Sequence, residues 1–241
     1  MPLTIKNAAE FQKLLFTLAG ELVDARCHFR LFQDLSAARA EYWREFGQSN
    51  TFWWLTSQAH LDASLMRLCK AFDINRSSLN LRTLIRTIKN NLHLFNEEGF
   101  RARLKGNPFV DSLASTLRVP DTTTIQKDLD FVSPSNLLVR KLIVWRDKHI
   151  AHRDPSPVLN PEELTTRYPL LYTEIDELLR AGLRIVNEYS SLFLATTHAS
   201  GIIGADDYLT ILKAVRESLN RHDAELEQQW QIVAASAGVR P

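Results

Sequence analysis

Hydrophobic positions recur at helical spacing along nearly the whole chain. In "NAAEFQKLLFTLAGELVDARCHFRLFQDLSAARAEYWREF", Phe11, Leu14, Leu15, Leu18 and Leu22 fall at three- and four-residue steps, which predicts one amphipathic helix or two in line. "NTFWWLTSQAHLDASLMRLCKAF" carries the same pattern from about Asn50 to Phe72 and ends in the loop "DINRSS". Ser78 is placed to cap a helix over Leu79–Leu94, since its hydroxyl can accept from the first unpaired N–H groups. Residues 96–132 are choppier, cut by Gly99, Gly106, Pro108 and Pro120 into short helical pieces. Ser133, with Pro134 at the first helical position, opens a helix through "NLLVRKLIVWRDKHIAH" that Asp154-Pro155-Ser156-Pro157 closes. Asn160 and Pro161 begin the next helical region, which restarts after Pro169. "GIIG" breaks it, and Asp206 or Asp207 opens a last helix to about Ala235. Strand-like alternation and internal repeats are both missing from the pattern. The expected architecture is all-α, a bundle of antiparallel neighbours.

Length and composition narrow the function classes. The 241 residues suffice for a real core, and we expect a single all-α domain over 1–241. With 45% hydrophobic and 24% charged residues, the chain has the balance of an ordinary globular protein. Its formal net charge of +1 creates no global field toward nucleic acid or membrane, so any basic site must be local. Cys27 and Cys69 are far apart and in no metal-like spacing, which predicts free thiols and a cytoplasmic setting. Neither a secretory leader nor an apolar run of about 18 residues is read in the sequence, so a membrane partner is not expected.

One segment departs from bundle sequence. "VWRDKHIAHRDP", Val144 to Pro155, crowds ionisable groups at a helix end. From Arg140 to Arg153, five cations (Arg140, Lys141, Arg146, Lys148, Arg153) face one carboxylate, Asp147, a local +4. His149 and His152 add charge at mildly acidic pH. Such a patch suits an anionic ligand, phosphate first. On an ideal helix Arg146, His149 and Arg153 share one stripe, whereas His152 lies roughly 240° around from Arg146. Either the helix ends near His152, or the two groups meet across a partner subunit.

Arg146-Asp147-x4-His152 resembles the R-x(4–6)-H motif of the HEPN superfamily, all-α domains of which many are metal-independent endoribonucleases. Arg86…His93 and Arg216…His222 share the spacing, but only Arg146…His152 sits in a basic cluster between an apolar helix and a proline stop. "RDKHIAHRD", "FWWLTSQAHLDASLMRLCKAFD" and "SLNLRTLI" resemble the abortive-infection branch. The resemblance covers about 51–193 as a HEPN-like core, with 96–132 as an insert and 205–235 as an added C-terminal helix.

The resemblance implies RNA as partner and no cofactor or metal. The RNA's own 2′-OH attacks the adjacent phosphate, with His152 as general acid or base and Arg146 stabilising the crowded phosphate. Asp147 would orient a histidine or pair with an arginine, and His149 is the alternative proton carrier. Arg140, Lys141, Lys148 and Arg153 are candidates for the RNA backbone. A two-fold homodimer pairing two motifs is implied, as is an antitoxin partner, often nucleotidyltransferase-like. Other readings stand beside this one. Basic groups at a helix end can simply complement its dipole. The domain could bind RNA or nucleotide without cutting it, or dock another protein. "TFWWLTSQAH" could be a platform for bases, but its periodicity favours core packing of Trp53 or Trp54.

Overall fold

The computed structural model describes residues 2–150, 166–199, 201 and 204–236. These residues form ten α-helices, with no β-strand among them. In order they are α1 (Ala8–Ala38), α2 (Trp43–Gln48), α3 (Asn50–Ala71), α4 (Leu81–Asn90), α5 (Glu97–Arg103), α6 (Val110–Ala114), α7 (Thr122–Phe131), α8 (Leu137–Trp145), α9 (Tyr172–Leu194) and α10 (Asp207–Ser236). A 3-10 turn spans Leu92–Phe95, and a π-turn spans Arg146–Ile150. The all-α expectation is met, and no described helix is long and apolar enough to cross a membrane.

Two compact units divide the chain: residues 1–30 with 60–200, and residues 31–59 with 201–241. In the first, α1 presents Phe11, Leu15, Leu18, Leu22, Ala25 and Phe29 as one fully buried or nearly buried stripe, the spacing of a core-facing helix side. α9 lies antiparallel to it. Arg26 pairs with Asp176 near one end, and Phe11 packs edge-on against Phe193 near the other, 4.8 Å between centroids. Phe95 completes a triad with both rings. Midway, a Cβ built on Gly182 would stand 2.8 Å from Leu22 Cδ2, so glycine allows the close helix approach. α3 is also antiparallel to α1. The Ser64 hydroxyl donates to the Ala25 carbonyl (2.8 Å), Arg67 reaches Glu21 (3.0 Å), and His28 and His60 meet Nδ1 to Nδ1 at 2.8 Å.

The choppy segment has a structural task. α9 ends among buried residues, Ser190, Phe193 and Leu194, where backbone donors run out, the carbonyl of Ser191 being the last to accept an i→i+4 bond, from Ala195 N at 2.9 Å. Arg103 Nε donates to the Phe193 carbonyl and Arg118 Nη1 to that of Ser191, each at 3.0 Å. The Arg103 guanidinium also lies 3.8 Å above the Phe193 ring. Ala195 turns the chain at a left-handed φ of 51°. α7 is pinned to α9 by Asp128, 1% exposed, which accepts from Tyr189 OH (2.8 Å) and Arg184 Nη2 (2.5 Å).

In the second unit Leu35, Ala38, Tyr42, Phe46, Trp53 and Leu212 form the core. Of the paired tryptophans, Trp53 is buried and Trp54 is 54% exposed, as a helical face requires of neighbours 100° apart. Arg216 reaches buried Glu45 at 2.6 Å and stacks over Tyr42.

Two helix starts differ from expectation. α4 is capped by Asn80, whose Oδ1 accepts from Thr83 N (2.9 Å) while Thr83 Oγ1 accepts from Asn80 N (3.0 Å). Ser78 is occupied elsewhere, donating to Asp73. α8 is capped by Asn136, which accepts from Leu138 N at 2.9 Å, because Ser133 lies in a preceding turn and engages Ser135. The predicted stop at Asp154-Pro155 and start at Asn160-Pro161 lie outside the described residues.

Candidate functional site

The basic segment begins where α8 ends. Trp145 donates its indole N–H to the Tyr168 carbonyl at 2.6 Å, which anchors the helix end. From Arg146 the backbone widens into the π-turn, with i→i+5 hydrogen bonding in place of i→i+4. The sequence predicts a helix that runs on through "RDKHIAH" or ends near His152; in the structure its α-helical part already ends at Trp145. The stripe drawn through Arg146, His149 and Arg153 on ideal α-helical angles ends at Arg153, which lies outside the described residues. π-turns inside helices occur frequently at functional sites.

Arg146 is held from two sides. Its Nη1 donates to Asp73 Oδ1 at 2.5 Å and its Nε to Asp147 Oδ1 at 2.7 Å. The side chain is 20% exposed. Burial alone would lower its pKa, but the Asp147 and Asp73 carboxylates outweigh this and raise it. Asp73 stands just beyond α3 and is itself over-determined. Its carboxylate accepts from the backbone N–H of Ile74 (2.7 Å) and Asn75 (3.3 Å) and from the Ser78 hydroxyl (3.0 Å). Burial would push this carboxyl up, yet those donors and Arg146 hold it below the ordinary aspartate range. Asn80, fully buried, ties the loop shut by donating to the Asn75 carbonyl at 2.8 Å. One turn before Asp73, burial pushes the Cys69 thiol up to about 12, so it is no nucleophile at neutral pH.

Asp73 is therefore a site residue that sequence reasoning missed. Its signal was the run "DINRSSLN", dense in side chains that bond local backbone.

The remaining candidates fall in different places. Lys141 turns to α9 and pairs with Glu174 at 2.5 Å, both side chains under 20% exposed. Arg140 is exposed on α8, and Lys148 is half-buried. His149 belongs to the π-turn by its backbone. His152 and Arg153 lie outside the described residues. The structure thus joins Arg146 with Asp147, adds Asp73, and directs Lys141 to a helix contact. Among the described residues no group of three or more His, Cys, Asp or Glu side chains is gathered for a metal.

A guanidinium has five N–H donors, and among the described residues two are used on carboxylates. The two contacts fix the orientation of the group.

No curated protein and no solved structure matches the chain. The family model HEPN_AbiU2, described as AbiU2, matches residues 8–223. That span takes in α1 and much of α10, beyond the 51–193 over which the resemblance was read, and runs through the choppy segment that was read as an insert. The chain belongs to the HEPN_AbiU2 family, in the abortive-infection-type branch of the HEPN superfamily.

Proposed function

We propose that this HEPN protein is a metal-independent endoribonuclease acting in phage defence or as the toxin of a toxin–antitoxin pair. Membership of the family supports the class. The observation that carries the chemistry is Arg146, fixed at a π-turn by two carboxylates. In this reading the RNA 2′-OH attacks its own phosphate, forming the 2′,3′-cyclic phosphate and releasing the 5′-oxygen. Arg146 stabilises charge on the phosphoryl oxygens. His152 moves a proton to or from the reacting oxygens, with His149 as the alternative. Arg140, Lys148 and Arg153 contact the RNA backbone. A second copy supplies the second proton carrier in a two-fold cleft, and a nucleotidyltransferase-like antitoxin restrains the activity.

The test is RNA cleavage by the purified protein in EDTA, beside Arg146→Ala and His152→Ala variants matched for helical content. Cleavage by wild type alone, leaving cyclic phosphate ends, is expected. Equal cutting by all three would place the chemistry on other residues and overturn the assignment.

A second reading has its own observation. Two carboxylates on one guanidinium more than offset its charge, which favours a structural clamp in a HEPN-like module that binds RNA or nucleotide uncut. Salt-sensitive RNA binding without cleavage would favour it.

A further inference from the structure

α4 carries a row of cations that the Arg146 site does not use. Arg82, Arg86 and Lys89 stand at i, i+4 and i+7, one stripe of the helix. The opposite side, Leu81, Leu84, Ile85 and Ile88, is fully buried. Next to the stripe is a cleft of about 500 Å³, lined by these three cations with Asn90 and Gln126 among the polar groups. Its wall includes one acid, Asp130, which is engaged by the Gln126 amide at 2.9 Å.

Three cations line this cleft against one acid. Arg26, Arg67, Arg146 and Arg184 of the same unit each hold a carboxylate. Among the described residues Arg82, Arg86 and Lys89 form no ion pair. Arg82 faces like charge instead. Burial first, then Arg86 and Arg76, pull its pKa below the ordinary arginine value. Arg76 lies in the same loop as Asp73, so the cationic row continues toward the loop that seats Arg146.

Both walls are rigid. The Asn80–Thr83 capping box fixes the start of α4, and Asp128 fastens α7 to α9. From Arg82 to Lys89 the helix climbs about 10 Å, room for phosphates in series rather than one. The lining holds no aromatic ring on which a base could stack, so the contacts suit a backbone and not a nucleobase.

We propose that the cleft between α4 and α7 binds the phosphodiester backbone of single-stranded RNA through Arg82, Arg86 and Lys89, apart from the Arg146 site. That the polyanion is RNA rests on the ribonuclease reading, while the cleft's preference for serial phosphates does not.

The experiment is fluorescence anisotropy of the full chain with a labelled 2′-O-methyl oligouridylate, which lacks the attacking hydroxyl and reports binding alone. Titrations run between about 50 and 200 mM salt. The R82Q/R86Q/K89Q variant is expected to bind about tenfold or more weakly, with a salt slope shallower by about 2, the loss of three single-strand phosphate contacts. R82K/R86K, which keeps the charge, is expected to retain binding, and circular dichroism checks the fold of both. Unchanged affinity and slope in the glutamine variant would overturn the proposal, as would failure of wild type to bind. ATP competing as well as the oligonucleotide would overturn the backbone assignment in favour of a mononucleotide site. Cleavage by Arg146→Ala is read in a separate assay, so failure of the catalytic reading leaves this binding result standing.

Discussion

Arg146 Nη1 lies 2.5 Å from Asp73 Oδ1, joining the end of α8 to the loop after α3 across 73 positions of sequence. The contact sets where the guanidinium points. Breaking it should therefore separate orientation from charge. Asp73→Asn keeps an acceptor for the loop N–H groups but loses the ion pair. RNA cleavage by Asp73→Asn is expected to fall in kcat while RNA affinity holds. In urea unfolding, a double-mutant cycle with Arg146→Gln should give a coupling of about 1 kcal/mol, since both side chains keep some solvent contact. Additive losses would mean that the contact has no energetic content.

Acid should destabilise the protein in two stages. His60 is held below its ordinary pKa by burial and by His28, and His198 by burial. The unfolded chain protonates these rings first. Their contribution is complete above about pH 6.5 and is lost as pH falls through the depressed folded values. Asp73 and Glu174 are also depressed, despite burial that alone would raise them. Their contribution is present above about pH 4 and disappears as pH falls through their lower folded values. Tm measured from neutral to acid pH should show an early shoulder and then a steeper fall. His60→Asn should flatten the shoulder and leave the second stage in place.

Asp128 is the buried acceptor for two partners on α9. Asp128→Ala strands the Tyr189 hydroxyl, and a cost of about 2 kcal/mol in denaturant unfolding is expected. Tyr189→Phe, which leaves Asp128 its arginine, should cost about 1 kcal/mol.

Two glycines should respond oppositely. Gly182→Val drives side-chain atoms into Leu22 and is expected to cost about 2 kcal/mol by overpacking. Gly20 is exposed inside α1 with open space around its missing Cβ. Gly20→Ala should raise stability by about 1 kcal/mol through helix propensity. Thermal melts of both, side by side, test the asymmetry.

The long helices were legible because spacing alone specifies them. Phe11, Leu15, Leu18 and Leu22 mark a buried side whatever that side meets. Caps were less legible. Ser78 and Asn80 both carry a competent oxygen, and the choice was made by Asp73, which takes the Ser78 hydroxyl. Lys141 looked like phosphate-binding charge, but its partner Glu174 is 33 positions away. The π-turn over "RDKHI" has no glycine or proline to announce it. Arg146 was found by motif, whereas Asp73 could be paired with it only once the chain was folded.

The closure of α9 by Arg103 and Arg118 bears on any attempt to trim this protein. A shortened chain keeping every long helix and dropping residues 96–118 looks, by hydrophobic pattern alone, like a minimal bundle. It would expose a defect at the far end of its central helix. The carbonyl of Phe193 would lose the donor that lets a helix stop in the interior, that of Ser191 would keep only the Ala195 N–H, and an unsatisfied carbonyl there is costly. The irregular stretch is thus no ornament on the bundle but a stopper, without which α9 has an open end.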